Sequence, residues 1–226
     1  MERLKLLFAK DCLQYQIVKN KSVLDENSFF VNQEQQGFSL LEKLGEVLAK
    51  QNFKEIEILS AINHFTIVPD GFSDHDLGYD LLSFNSEVSR QEEELMLSIN
   101  KKFGIQFYYS FPKNFYHKIK NQDAATSFNF SGEKFLNSIN NKHKKEIHIN
   151  LYHNQCEFLA ISDGQLVLYN NLDVNSEVDF LYFIMFTLNK IGFGTKDTYF
   201  FVYGETTENE TFISELRKFV KHLKIV

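Results

Sequence analysis

Near its C-terminus the chain reads Tyr199-Phe-Phe-Val-Tyr203, then Gly204-Glu205, then Thr207-Glu-Asn-Glu210. A strand that runs into a glycine and then a helix start has the form of many phosphate- and adenine-binding corners. Glycine takes φ > 0 freely and lets backbone N–H groups approach an anion closely. Glu205 works against that use: it adds bulk and repels phosphate, although its carboxylate can accept a hydrogen bond from a base or a ribose. Other chemistries lack parts. There is no G-x-x-x-x-G-K-[ST] loop, and Gly192-Phe-Gly194 lacks the third glycine of a dinucleotide fingerprint. Glu55 and Glu57 share one strand face and read as a wet face, not a two-metal site. His148 and His153 stand five apart on an extended run and point to opposite faces. His64, His75 and Asp76 carry the right atoms for Zn²⁺ near a turn, where ordinary surface roles account for them. Ser39 and Ser131 read as helix caps, and no serine sits in a G-x-S-x-G elbow. These residues point to no metal and no catalytic residue.

The bulk composition sets outer bounds. With 226 residues, 43% hydrophobic and 24% charged, the chain is ordinary globular material that needs no disulfide or metal to fold. A formal net charge of −6 argues against a general nucleic-acid binder, whose affinity depends on a basic surface. The cationic run Lys142-His-Lys-Lys145 reads as a solvated connector. Cys12 and Cys156 are far apart and lack metal-ligand spacing, which fits a reducing compartment. The first ten residues hold too short an apolar run for a signal peptide. The apolar segment Phe180–Leu188 is about half the roughly 20 residues that span a bilayer. The expectation is a soluble, cytoplasmic protein with no membrane span.

Periodicity places the elements around these residues. Leu4–Ala9, Leu13–Ile17 and Ser22–Leu24 read as strands with turns at Lys10-Asp11 and Asn20-Lys21. Ser39-Leu-Leu-Glu42 has capping-box form before a helix with Leu41, Leu44, Val47 and Leu48 on one face. Strands follow at 54–61 and 64–68, a helix near 74–83, and a second helix at 92–103 stopped by Gly104. Ile105–Phe111 is a strand, Pro112 opens a helix, 126–130 is a strand, and Ser131 starts a helix. Three strands follow at 146–152, 156–162 and 165–169, with Asp163-Gly164 as a hairpin turn. A helix capped by Ser176 runs to Ile191 and is apolar nearly all round, which predicts burial on more than one side. After the 199–203 strand, a capping box at Thr207–Glu210 predicts a last helix whose apolar face runs from Phe212 to Leu223.

The two ends of the chain echo each other. Shifted so that Leu6 meets Ile149, Phe8 meets Leu151, Leu13 meets Cys156, Tyr15 meets Phe158 and Val23 meets Leu166. The turns coincide too, Lys10-Asp11 with His153-Asn154 and Asn20-Lys21 with Asp163-Gly164. Each half then reads strand, strand, strand, helix, strand, helix. That order implies an antiparallel meander joined to a parallel strand through a helix. The polar run 140–145 is the candidate boundary, giving domains 1–143 and 144–226, the first with a further strand–helix pair.

This order, seen twice, resembles the ribonuclease-H-like lobe of actin-like ATPases and sugar kinases. Three stretches resemble a bacterial family of unknown function assigned an actin-like ATPase fold. They are His64-Phe-Thr-Ile-Val-Pro69 with Phe72, Phe107-Tyr-Tyr-Ser-Phe-Pro112, and Gly164-Gln-Leu-Val-Leu-Tyr-Asn170 with Asp179-Phe-Leu-Tyr-Phe183. The resemblance covers essentially the whole chain. It implies an α/β fold of two ribonuclease-H-like lobes with mixed sheets, and a nucleotide site at the turn after the first strand of each lobe. Its residues here would be Lys10, Asp11, His153 and Asn154, joined by Gly204 and Glu205 on the adenine side. The family's phosphate turns carry glycine, yet neither turn here contains one, and only the first has a carboxylate, Asp11. Two readings follow. One is a non-catalytic actin-like scaffold, a pseudoenzyme with no cofactor and a protein partner. The other is a divergent nucleotide-dependent enzyme or switch using ATP with Mg²⁺, in which Lys10 replaces glycine N–H groups and Glu205 reads the ribose.

Overall fold

The structure is a computed structural model that describes residues 2–31, 39–72, 75–152, 155–174 and 176–226, without the side chains of His75 and Asp76. The chain divides into two compact units, Met1–Asn137 and Ser138–Val226.

In the first unit β1 (Glu2–Ala9), β2 (Cys12–Lys19) and β3 (Ser22–Phe30) form an antiparallel meander. After α1 (Leu40–Leu48), β4 (Glu55–Ser60) returns parallel to β1, and β8 (Ala125–Phe130) adds parallel to β4. The sheet order is β3-β2-β1-β4-β8. Alternation aims Leu4, Leu6, Phe8, Leu13, Tyr15, Ile17, Ile56 and Ile58 at one face, where Leu44, Val47 and Leu48 of α1 pack. Ser39 stands at the cap position of α1, but its side chain makes no capping bond; its carbonyl accepts from Glu42 and Lys43 N–H.

Between β4 and β8 lies a second, three-stranded sheet of β5 (Phe65–Pro69), β6 (Glu93–Asn100) and β7 (Ile105–Pro112), with order β5-β7-β6. In sequence α2 (His75–Ser83) lies between β5 and β6, and α3 (Lys113–Lys120) follows β7. Phe65, Phe107, Tyr109 and Phe130 form one ring cluster on β7, while Val68, Leu82, Leu95 and Tyr108 pack on α2. The helix expected over 92–103 is therefore a strand, and Gly104, at φ 65°, closes the β6–β7 hairpin instead of a helix. Its alternation is inverted: Ser98 and Asn100 are buried while Leu97 and Ile99 are exposed. The two polar side chains are bound inside. Ser98 Oγ accepts from Phe130 N–H at 3.0 Å, and Asn100 Oδ1 from Phe103 N–H at 3.0 Å. Asn100 Nδ2 donates to Asn137 Oδ1 at 3.0 Å on α4 (Ser131–Ser138).

The second unit repeats the first. β9 (Lys145–Tyr152), β10 (Gln155–Ser162) and β11 (Gln165–Asp173) form the meander. α5 (Glu177–Ile191) crosses to β12 (Tyr199–Gly204), and α6 (Glu210–Arg217) to β13 (His222–Ile225), in the order β11-β10-β9-β12-β13. The match extends to register. Phe8 pairs with Leu13 as Leu151 pairs with Cys156, and Val18 with Val23 as Ile161 with Leu166. A shift in register falls between Ile17 and Val18 in one unit and between Ala160 and Ile161 in the other, the same place in the repeat. The turns Asn20-Lys21 and Asp163-Gly164 take positive φ at both positions, as a two-residue hairpin with the sheet's twist requires.

Two expectations about the second unit are corrected. α6 stops at Arg217, and His222–Ile225 pairs in parallel with β12, where its backbone groups find partners that a helix end would leave unmet. The helix also starts at Glu210, past the Thr207 cap; Asn209 stands at the cap position and spends its amide on Glu205 C=O at 2.7 Å. α5 is buried on one side only, through Phe180, Ile184, Thr187 and Leu188, because the sheet and α6 cover just that side. Its Ser176 cap is as expected and accepts from Asp179 N–H.

Burial holds the Glu133 carboxyl of α4 above the ordinary carboxylate range, with Lys134 and Asn137 pulling the other way. A raised folded value means that stability falls as pH rises between the unfolded and folded values and stays lowered above both. Glu133→Gln keeps the acceptor for Asn137 without the charge. Denaturant melts should therefore show the variant more stable than wild type at pH 7, with the gain fading below the ordinary carboxylate range.

Candidate functional site

Because β9 and β12 run parallel, their C-terminal ends open on one edge, where ligands of mixed α/β sheets commonly sit. Leu151 pairs with Gly204 there, so the 204–205 corner stands beside the end of β9. Gly204 has φ 84°, and a Cβ on it would lie 2.2 Å from Leu151 O and 2.7 Å from Asn150 Oδ1. The glycine is therefore demanded by the packing of the chain itself. The corner's donors are also used internally: Glu205 N–H donates to Leu151 O at 2.9 Å and Thr206 N–H to Gly204 O at 2.8 Å. Glu205 is half-buried.

The matching edge of the first unit holds Lys10 and Asp11, both exposed, in the turn closed by the Ala9–Cys12 pair. Neither has positive φ, so the turn does not take the backbone form that glycine supplies to an anion cradle. Asp11 C=O accepts from Val31 N–H at 2.9 Å, and Phe8 C=O from Ala61 N–H at 2.7 Å. Lys10 and Asp11 belong to the first unit, Gly204 and Glu205 to the second. His153 and Asn154 lie outside the described residues.

Behind the Gly204 corner lies a polar network that sequence reasoning missed. Glu157 is fully buried and accepts from Asn150 Nδ2 at 2.9 Å, Tyr152 OH at 2.6 Å and Tyr169 OH at 2.8 Å. Glu146, also fully buried, accepts from Lys142 N–H at 2.9 Å, His143 N–H at 2.7 Å and Asn141 Nδ2 at 3.0 Å. His148 Nε2 lies 2.9 Å from Glu146, and its Nδ1 lies 3.1 Å from Tyr203 OH. The signal was present in outline: Glu146, His148, Asn150 and Tyr152 alternate along β9 and so share one face. What no periodicity reveals is that this face is covered.

Multiple donors on each buried carboxylate are what burial of a charge requires. Burial, and then the nearby Glu146 charge, pushes the Tyr203 hydroxyl above its ordinary range; burial and Glu157 push the Cys156 thiol up likewise. Both groups are held protonated, the opposite of an activated nucleophile. His64 of the zinc-like set sits 3.2 Å from Glu93, and the side chains of His75 and Asp76 lie outside the description. Among the described residues no three His, Cys, Asp or Glu side chains are placed to hold a metal ion. No described helix is long and apolar enough to cross a membrane.

Residues 2–223 match a family described as protein of unknown function (DUF3822). The chain belongs to that family. No curated protein matches it by sequence. Among solved structures, it is similar to a Bacteroides thetaiotaomicron protein with an actin-like ATPase fold and unknown function. The TM-score is 0.81 at 20% identity, covering 100% of this chain and 90% of that one. It is similar to the PilM–PilN type IV pilus biogenesis complex at TM-score 0.60 and 9% identity, covering 100% and 88%. It is also similar to the ethanolamine utilization protein EutJ from Carboxydothermus hydrogenoformans, at TM-score 0.54 and 7% identity, covering 100% and 84%. At these identities the likeness establishes the fold: this DUF3822 chain has the actin-like ATPase fold, built from two sheet-based lobes.

If Gly204 serves packing, its loss registers as stability. Gly204→Ala combines positive-φ strain with a backbone clash and should cost more than about 2 kcal/mol, roughly 4–8 °C in melting temperature. Gly164→Ala, at φ 81° with open space around it, carries only the strain, about 1–2 kcal/mol. Thermal melts of the two variants should rank them in that order.

Proposed function

We propose that this DUF3822 protein is a non-catalytic actin-like scaffold or binding protein whose nucleotide corners have been given over to its own packing. The observation that carries this reading is the Gly204 corner, where the N–H groups of Glu205 and Thr206 donate to Leu151 and Gly204 carbonyls. A phosphate cradle needs such groups aimed at the anion. Supporting it, the Lys10-Asp11 turn has no glycine and no positive φ. The buried carboxylates Glu146 and Glu157 have their acceptor capacity taken by protein donors. A protein partner is the natural ligand for such a scaffold; PilM, which shares the fold, is seen in complex with PilN. Cys12 and Cys156, both buried as thiols, fit residence in the cytoplasm.

A thermal-shift series with ATP, ADP and GTP, each with and without Mg²⁺, tests the reading. A nucleotide at 100 times its dissociation constant adds about 2.7 kcal/mol, which is roughly 5–11 °C in a chain of this size. The expected result is no shift with any of them. A reproducible Mg-ATP shift that disappears in Asp11→Ala would instead establish the nucleotide-dependent switch.

A further inference from the structure

α5 meets the core with one side and offers solvent an apolar stripe on the other. Val178, Tyr182 and Phe186 are 75%, 66% and 47% exposed. Spaced four apart, they lie in one row, and the rings of Tyr182 and Phe186 stack with centroids 5.9 Å apart. A solvated helix face of this length ordinarily carries charge. Here the charges sit at its ends and have opposite sign: Glu177 and Asp179 in the first turn, Lys190 in the last. At 100° per residue, Asp179 and Lys190 fall on the same flank of the stripe. That flank also holds a cavity of about 310 Å³, walled by Leu172, Val174, Tyr182 and Phe183, with Asp173 and Asp179 among its residues.

We propose that this face binds a second copy of the chain, with the two α5 helices antiparallel, stripe on stripe, about a two-fold axis. The charge pattern selects that occupant. A two-fold interface places the same patch on both sides, so the surface must complement itself. In the antiparallel arrangement the acidic first turn of one helix faces the basic last turn of the other, and the two-fold keeps like flanks together. Lys190 of each copy then reaches the Asp173–Asp179 cavity of the other. Its butyl stem covers apolar wall while its ammonium meets carboxylate. A parallel pair would instead set acid against acid and lysine against lysine. The aromatic stripe supplies the affinity and the end charges the orientation. A stripe this short makes a small interface and a weak dimer, with a dissociation constant on the order of micromolar or above. The pairing is independent of what the Gly204 and Lys10-Asp11 corners bind, so the nucleotide result neither supports nor removes it.

Sedimentation velocity on the full chain, over a series reaching several hundred micromolar, provides the test. A reversible monomer–dimer equilibrium is expected. Tyr182→Glu, at an exposed position, should leave only monomer while circular dichroism stays unchanged. Asp179→Lys and Lys190→Asp should each weaken dimerisation at least about ten-fold, since each change acts twice across the axis. The double variant should return the affinity to within about three-fold of wild type. A chain that stays monomeric throughout, or assembles beyond a dimer, overturns the proposal. So does a dimer indifferent to Tyr182→Glu, or a double variant no tighter than the single ones.

Discussion

In both units a strand of an antiparallel meander lies beside a strand delivered through a helix: β1 beside β4, and β9 beside β12. Much of the architecture depends on that parallel pairing. A parallel neighbour cannot be reached by a tight turn, so the chain must cross over one face of the sheet, and the crossing helix must be apolar toward it. This is why Leu44, Val47 and Leu48, or Phe180, Ile184 and Leu188, meet the inward residues of β1 and β9. The same pairing brings the C-terminal ends of two strands to one edge. The corner at Gly204 exists because β12 ends there beside Leu151.

The repeat keeps the backbone and changes the chemistry on the face that the crossover helices leave open. In the second unit that face holds His148, Asn150 and Glu157, buried or half-buried in hydrogen bonds. The corresponding positions of the first unit are Lys5, Leu7 and Gln14, which line an open cavity of about 720 Å³. One strand pattern therefore supports a buried polar lattice in one unit and a solvent-accessible surface in the other. Buried carboxylates with several donors each are costly unless the whole set is present, so such a network specifies one arrangement of its strands.

Much of the fold was legible from local patterns. The meanders, their turns and the crossover helices follow from alternation, from turn residues able to take positive φ, and from apolar spacing at α1 and α5. The errors share a cause. Over 92–103, Glu, Leu, Met and Lys favour a helix locally, and the buried Ser98 and Asn100 disguise the strand period. Their partners Phe130 and Asn137 lie 32 and 37 residues away in sequence, where no local window finds them. Phe219–Val226 continues a helical spacing well enough, yet pairing with β12 turns it into a strand. On α5, composition suggested burial all round, whereas only one side meets other elements.

By itself the sequence determined the repeat, its strand positions, and the absence of glycine at Lys10-Asp11 and His153-Asn154, because these depend on residue type and short-range spacing. Only the tertiary structure decided what Gly204 is for and which polar residues are buried. A glycine reads the same whether its missing side chain makes room for an anion or for the carbonyl of Leu151. Which of the two it meets depends on a strand more than 50 residues away in the chain, and contact at that separation is a property of the packed fold.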